Sequence, residues 1–300
     1  MLSKNMLLLG VDGGGTRCRA RLTLASGRIL AESAAGPANI RFGIQESFAA
    51  VLQATAECLA QADLPLGDAA RVIACLALAG ASEPEELAKA RAYRHPFRKA
   101  LITTDAQAAC IGAHGGRDGG IIIVGTGSIG WGTRHGRTHR VGGWGLPLSD
   151  EGSGAWLGRE ALQRVMWAHD GHLGWSGLLT TLFKKFHSNP HEIVRFAARA
   201  TPRDFGMLAP QVVHFAADGD PVAEDIMRAG ARHIDDIAAR LIAFGVAPIA
   251  LVGGLADHME GRLSEATRSN LVPPQGDALA GALHLARATA QTAGAGESAA

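Results

Sequence analysis

The segment Asp12-Gly13-Gly14-Gly15-Thr16 combines residue types that can bind phosphate and a metal ion. Its three glycines allow the backbone to turn N–H groups toward an anion, and the hydroxyl of Thr16 adds a donor. Asp12 could hold Mg²⁺, directly or through water. The alternative is a plain glycine-rich hairpin turn. The segment is not a Walker loop, because it lacks the Gly-Lys-Ser/Thr ending and the pattern predicts a strand rather than a helix after it.

Two further glycine turns follow predicted buried strands. One is Gly125-Thr126-Gly127-Ser128, and the other is Gly253-Gly254. Two phosphate-type turns in different halves of the chain indicate that both contact the same phosphates. Gly253-Gly254 predicts a point where a base or ribose could lie against the backbone.

Asp105 directly follows a predicted strand over residues 100–104 and begins a predicted helix. At that position it could be the N-cap of the helix. It could instead be the general base that accepts a proton from a sugar hydroxyl during phosphoryl transfer. Both interpretations stay open at the level of sequence.

The segment from Gly142 to Gly154 is dense in glycine and contains Trp144 and Asp150. An aromatic face such as that of Trp144 can stack on a sugar ring, and Asp150 could accept hydrogen bonds from two sugar hydroxyls. Alternatively, Trp144 belongs to the core and Asp150 caps a helix that begins near Glu151. Asn39 lies in a predicted loop and by itself is a turn residue.

The elements that would position these residues follow from hydrophobic periodicity. The first half is predicted as βββαβαβα, with strands over 7–12, 17–24, 29–34, 71–79 and 100–104 and helices over 44–59, 83–93 and 105–113. After glycine-rich residues 115–120 the opening pattern recurs, with strands over 121–124, 129–134 and 137–141. The remainder is mainly helical, over 151–168, 176–186, 192–198, 221–244 and 277–289, with one strand over 249–252.

This pattern predicts an α/β protein of two domains. We expect the first domain over residues 1–115, the second over 116–288, and a flexible tail over 289–300.

Composition excludes several classes of function. The 300 residues include 29 basic and 28 acidic side chains, so the formal net charge is +1 and neither nucleic acid nor a membrane surface is an expected partner. The apolar run over residues 6–9 is too short for a signal peptide or a membrane span. The scattered cysteines predict reduced thiols in a cytoplasmic protein.

In this order, the motifs resemble the BadF/BadG-type ATPase family within the sugar kinase/actin/Hsp70 superfold, and more closely its N-acetylglucosamine and bacterial glucosamine kinases. The resemblance covers nearly the whole chain. It implies a two-domain actin-like (ribonuclease H-like) fold with a ligand cleft between the domains, and a C-terminal helix over 277–289 that packs on the first domain. ATP, Mg²⁺, an amino-sugar substrate and a homodimer are the implied cofactors and partners.

The resemblance also assigns residues. Gly13, Gly14, Gly15, Thr16, Gly125, Thr126 and Gly127 would bind phosphate, Gly253 and Gly254 would bind adenosine, and Asp12 the metal. Asp105, in the sequence Thr104-Asp105-Ala106, would be the base on the sugar 6-hydroxyl. The substrate would contact Asn39, Asp105, Ser128, Trp144, Gly145 and Asp150.

Three alternatives remain. An ATPase activator of an electron-transfer enzyme would need paired cysteines for an iron–sulfur cluster, and the scattered cysteines argue against it. A sugar-sensing transcription regulator would need a helix-turn-helix, for which we expect no room before the first strand. A kinase for another hexose is compatible with the sequence.

Overall fold

The computed structural model describes residues 5–297, with the backbone alone described at residues 42 and 293–297. The chain forms two compact units. Unit 1 ends at Arg117 and resumes at Pro274, and unit 2 is Asp118–Pro273. The chain passes from unit 1 to unit 2 within the glycine-rich residues 115–120. Unit 2 ends at Pro273 rather than at the expected residue 288, because the last helix packs within unit 1.

The elements of unit 1 are β1 Leu7–Gly13, β2 Cys18–Leu24, β3 Ile29–Ala35, α1 Ile44–Gln61, β4 Ile73–Leu78, α2 Pro84–Ala92, β5 Lys99–Thr104, α3 Asp105–Ala113 and, at the C-terminus, α12 Ala278–Glu297, with short 3₁₀ helices at Ile40–Phe42 and Leu66–Arg71. Those of unit 2 are β6 Gly119–Val124, β7 Ser128–Arg134, β8 Arg137–Gly142, α4 Gly154–His169, α5 Gly177–Lys185, α6 Pro190–Ala197, α7 Pro202–Gly206, α8 Ala209–Ala217, α9 Pro221–Ala243, β9 Ile249–Val252, α10 Ala256–Glu260 and α11 Glu265–Arg268.

Unit 1 is a five-stranded sheet in the order β3-β2-β1-β4-β5. The first three strands are antiparallel neighbours, whereas β4 and β5 run parallel to β1. Side chains of successive residues in β1 enter different hydrophobic clusters: Leu9 packs in the cluster that includes α1, and Leu8 in the cluster that includes α12. Because helices cover both faces, β1 is apolar at nearly every position instead of alternating.

Helix α12 packs on unit 1 through small residues. Ala282, Ala286 and Ala290, spaced four residues apart, are buried beside β4 and α3. The helix continues to Glu297, beyond the predicted end at Thr289, so the tail expected over 289–300 is helical as far as residue 297. Residues 298–300 lie outside the described residues. The buried face of the helix extends one residue past the predicted end, to Ala290.

Unit 2 is a four-stranded sheet in the order β8-β7-β6-β9, with β6 parallel to β9. Its core lies between this sheet and helices that include α4, α5, α8 and α9. The βββαβαβα order of unit 1 is not repeated in full in unit 2, although the four strands predicted for this half are present. Within the described residues the chain after β9 contributes only short helices and an isolated bridge between Ile249 and Leu271 instead of a fifth strand. Four short helices, α7, α8, α10 and α11, were not predicted either.

Candidate active site

In unit 1, the candidate residues follow the carboxyl ends of three parallel strands. Gly13 of β1 aligns with Leu78 of β4, which aligns with Thr104 of β5. At the usual strand spacing, Gly13 and Thr104 are roughly 10 Å apart. The turn after β1 and Asp105 after β5 therefore lie at the same edge of the sheet. This edge is where open α/β sheets bind ligands.

The glycines of the first turn have different roles. Gly13 is buried, and a Cβ there would lie 2.7 Å from Cδ2 of Leu78, so packing requires it. The N–H of Gly14 donates to the carbonyl oxygen of Arg17 at 3.0 Å, which closes the turn. Gly15 and Thr16 are exposed, and within residues 5–297 neither N–H donates a hydrogen bond. In this turn, the backbone N–H groups that remain to bind an anion are therefore those of Gly15 and Thr16, and not those of all three glycines.

Asp12 is paired with Arg19. Both Nη2 and Nε of Arg19 donate to Oδ2 of Asp12, at 2.7 and 3.2 Å, while Nη1 reaches Oδ2 of Asp277 at 3.3 Å. Direct metal binding through Oδ2 would compete with the guanidinium, whereas Oδ1 has no described hydrogen bond in residues 5–297. No group of three or more His, Cys, Asp or Glu side chains in this range is placed to hold a metal. Asp12 therefore fits Mg²⁺ only as one ligand among phosphate oxygens and water.

Asn39 lies beside the first turn. Its Oδ1 accepts the N–H of Arg41 at 3.1 Å, and its backbone forms a parallel bridge with Ala79 at the end of β4. A Cβ on Gly15 would lie 3.9 Å from Nδ2 of Asn39. The amide group is thus close to the exposed part of the turn, with its oxygen used to cap a 3₁₀ helix.

Asp105 is the first residue of α3 and is not its N-cap. That role belongs to Thr104, whose hydroxyl accepts the N–H of Gln107 at 3.0 Å. The half-buried Asp105 carboxylate accepts the N–H of Ala106 at 2.8 Å. A negative charge in the first turn of a helix is favoured by the helix dipole. The N-cap interpretation of Asp105 is therefore wrong, and its carboxyl group lies at the sheet edge directly after β5.

In unit 2, the candidate turns also follow neighbouring parallel strands, β6 and β9. Gly253 has φ +106°, and a Cβ there would lie 2.4 Å from the carbonyl oxygen of Val124 at the end of β6. Only glycine is compatible with this close approach. A Cβ on Gly254, in contrast, would meet nothing within 4 Å. The chain after β9 thus lies against the start of the turn at Gly125.

The turn at residues 125–127 is held by the start of helix α4. The N–H groups of Gly154 and Ala155 donate to the carbonyl oxygens of Gly125 and Thr126, at 2.8 and 3.1 Å. Gly125 also donates to the carbonyl oxygen of Gly127 at 2.9 Å. Thr126 itself is exposed. The turn is therefore fixed by its carbonyl groups.

Ser128 does not present its side chain to a ligand. The residue is only 2% exposed, and its hydroxyl donates to the carbonyl oxygen of Glu151 at 2.7 Å. This geometry corrects the expected substrate contact, because the hydroxyl instead ties β7 to the segment before α4.

Asp150 is 7% exposed and adopts the left-handed conformation, with φ +67°. Burial raises the pKa of its carboxyl group above the ordinary value, although N–H donors of Ser128 and Gly145 and the charge of Arg140 act in the opposite direction. The alternative that Asp150 caps a helix is wrong: α4 begins at Gly154 and is capped by Ser153.

Asp150 lies directly beside the phosphate-type turn. A Cβ on Gly127 would lie 2.8 Å from Oδ2 of Asp150. The carboxylate and the turn are thus parts of one local arrangement, held together by the N–H of Ser128.

Trp144 is 63% exposed, so the alternative that it belongs to the core is wrong. The guanidinium of Arg140 lies over its ring, with Cζ 3.9 Å from the centroid. Neighbouring Gly145 has φ +93° and supplies a backbone donor to Asp150. Arg140 was not predicted from the sequence. Its position two residues before Gly142, on a strand leading into the segment, was the only signal available.

None of the four cysteines forms a disulfide bond, and all four are buried in unit 1. Burial raises the pKa of the thiols of Cys18 and Cys75 to about 12. Such thiols are protonated at neutral pH, which does not suit the thiolate ligands of an iron–sulfur cluster. Across the described chain, no helix has the length and apolar composition needed to cross a bilayer.

Comparison with known proteins gives a consistent group of relatives. The model of the BadF/BadG/BcrA/BcrD ATPase family matches residues 9–286. The glucosamine kinase GspK of Vibrio cholerae is 36% identical over 278 residues, which cover 93% of this chain and 95% of the relative. An N-acetylmuramic acid/N-acetylglucosamine kinase of Clostridium acetobutylicum is 28% identical over 238 residues, or 76% of each chain.

The crystal structure of a candidate N-acetylglucosamine kinase from Chromobacterium violaceum is also similar. It has 36% sequence identity and a TM-score of 0.88, over 95% of this chain and 100% of that chain. The expected two-domain α/β fold class is thereby confirmed.

Proposed function

Because this chain belongs to the BadF/BadG/BcrA/BcrD ATPase family, we propose that it transfers the γ-phosphoryl group of ATP to the 6-hydroxyl of glucosamine or N-acetylglucosamine. The observation that carries the proposal is the placement of Asp105. Its carboxylate follows β5 at the sheet edge where β1 leads into the exposed turn of Gly15 and Thr16, and helix α3 does not need it as a cap.

We assign the nucleotide to the glycine turns. Gly15 and Thr16 offer exposed backbone donors, with Gly13 and Gly14 holding the turn. In unit 2, Gly125, Thr126 and Gly127 form the second phosphate turn, and Gly253-Gly254 the contact for adenosine. Asp12 would hold Mg²⁺ with phosphate and water as the other ligands. When bound, Mg²⁺ neutralises charge on the phosphoryl group.

We assign to the acceptor sugar the contacts that the family resemblance implies. Asp105 would accept the proton of the 6-hydroxyl as that oxygen bonds to phosphorus, and the bond to the leaving ADP oxygen breaks. Asn39, Trp144, Gly145 and Asp150 would orient the ring. Asp150 suits hydroxyl donors when ionised, and the exposed ring of Trp144 suits an apolar sugar face.

Both amino sugars remain in the proposal, because one relative is named for glucosamine and others for N-acetylglucosamine. We further propose that the kinase works in the cytoplasm, which the absence of disulfide bonds among its four cysteines supports, and that it forms a homodimer, as the family resemblance implies.

The proposal is tested by coupled ADP release with glucosamine, N-acetylglucosamine, glucose and N-acetylmannosamine. We expect rapid release with one or both glucosamine substrates, and phosphorus NMR should find the phosphate on the 6-oxygen. Absence of sugar-dependent ADP release from the folded protein would reject the proposal. Preference for glucose would reject the amino-sugar assignment but not the kinase, and preference for N-acetylmannosamine would reject only the choice of glucosamine or N-acetylglucosamine as the substrate.

A further inference from the structure

Arg140 makes several contacts within the segment that we assign to the sugar. Its Nε donates to the carbonyl oxygen of Gly142 at 3.1 Å, and its Nη2 donates to that of Gly143. The same guanidinium lies over the ring of Trp144, 3.9 Å from the centroid. Arg140 thus connects strand β8 both to the backbone carbonyl groups of Gly142 and Gly143 and to the ring of Trp144.

The backbone that Arg140 binds needs external support. Gly142 and Gly143 have φ values of +69° and +71°. Because glycine adopts many backbone conformations at similar cost, these two residues do not by themselves hold this one. Two hydrogen bonds from one planar guanidinium fix the direction of two successive carbonyl groups. The path of the chain into Trp144 is thereby defined.

The ring of Trp144 also needs support from another side chain to hold one orientation. With 63% of the residue exposed, little protein packs around it. A guanidinium stacked on the ring selects one orientation of the side chain, since an aromatic face attracts a cation. Arg140 also acts electrostatically on Asp150, where its charge favours the ionised carboxylate.

We propose that Arg140 is a positioning residue for the acceptor sugar, which holds the backbone of Gly142 and Gly143 and the ring of Trp144 in the geometry that binds it. The inference rests on the proposed function. It assigns Arg140 no contact with the nucleotide and no part in proton transfer.

The test compares Arg140→Gln and Arg140→Lys with Arg137→Gln, which removes the exposed arginine at the start of the same strand. We expect Arg140→Gln to raise KM for the sugar roughly 10- to 100-fold, as a small misplacement of binding groups can do. KM for ATP and kcat should stay near the wild-type values. Arg140→Lys retains the charge but not the planar pair of donors, so it should recover only part of the loss. Arg137→Gln should resemble the wild type.

A double-mutant cycle of Arg140→Gln and Trp144→Ala separates positioning from general stability. If Arg140 acts through the ring, its removal should cost little further sugar affinity once Trp144 is gone. Additive losses would overturn the contribution through Trp144.

Failure of the proposed function and failure of this inference are distinguishable. If the wild type phosphorylates no sugar, the kinase proposal fails. If the wild type is active and both Arg140 variants keep its KM for sugar, the positioning role is overturned. Equal increases in KM for sugar and ATP would overturn it as well. If Arg140→Gln does not fold, KM for the sugar and KM for ATP are compared in Arg140→Lys instead. An increase in KM for the sugar alone supports the positioning role, and no increase or an equal increase overturns it.

Discussion

The hydroxyl oxygen of Thr104 lies 3.0 Å from the backbone nitrogen of Gln107 and caps helix α3. Asp105, the next residue, is therefore not the cap of this helix. The capping role belongs to Thr104 and the proposed catalytic role to Asp105, so the two roles can be tested separately.

Asp105→Asn should fold normally and lose turnover by roughly 10²-fold or more, the usual scale for a lost acid–base group. The amide oxygen can still accept the N–H of Ala106, so stability should change little. Steady-state kinetics and thermal unfolding measure the two effects. Thr104→Ala is the matched control: it should cost about 1 kcal/mol of unfolding free energy and largely keep kcat. Near-normal turnover by folded Asp105→Asn would show that Asp105 is not the base.

Trp144→Ala should raise KM for the sugar much more than KM for ATP, because an aromatic surface for the ring is lost. Its melting temperature should hardly change, since the side chain is mostly exposed. Trp167→Ala is the control, because Trp167 is also partly exposed and also lies beneath an arginine, Arg164. A parallel loss of sugar and ATP affinity with a lower melting temperature would contradict the sugar-stacking role.

Gly253→Ala and Gly254→Ala form a second matched pair. At Gly253 an added Cβ would lie 2.4 Å from the carbonyl oxygen of Val124, and the alanine residue would have to adopt φ +106°. We expect a loss of about 1–3 kcal/mol of unfolding free energy. Gly254→Ala has open space and should keep its stability. If adenosine lies against this backbone, Gly254→Ala will weaken binding of an ATP analogue in calorimetry; unchanged binding would remove Gly254 from the nucleotide site.

Sugar binding should weaken in mild acid because of Asp150. Burial raises the pKa of its carboxyl group above the ordinary value of about 3.9, so protonation begins at a higher pH. A protonated carboxyl group accepts sugar hydroxyls less well. Calorimetry with N-acetylglucosamine, which carries no titrating amine, should show affinity falling as pH drops through this raised pKa. Asp150→Asn should bind weakly and without that pH dependence. An unchanged acid profile in this variant would contradict the assignment.

The same group has an opposite effect on stability. Because the folded state holds the proton of Asp150 more tightly than the unfolded state, its contribution favours folding below the ordinary pKa. That contribution is lost as pH rises through the raised pKa. As pH rises through this range, the wild type should therefore lose unfolding free energy relative to Asp150→Asn. A constant difference would indicate that the folded-state pKa is not raised.

Much of the fold and the location of the candidate turns followed from sequence alone. An apolar run that stops at glycines predicts a buried strand and a turn from neighbouring residues only, as at Gly13 and Gly125. The bounds of α3, Asp105–Ala113, and of β9, Ile249–Val252, were predicted to the residue. The second half was predicted less well, in part because α7, α10 and α11, with four or five residues each, contain too few turns for a periodic signal.

Only the tertiary structure decided how the site's side chains are paired. Asp277 lies 258 residues from Arg19 in sequence, yet the two share an ion pair. The stack of Arg140 on Trp144 depends on the path of a glycine-rich loop. Backbone preferences are local and can be inferred from adjacent residues. Burial of Asp150 and the exposure of Trp144 depend on which distant surfaces the chain brings together, and neighbouring residues alone do not specify those surfaces.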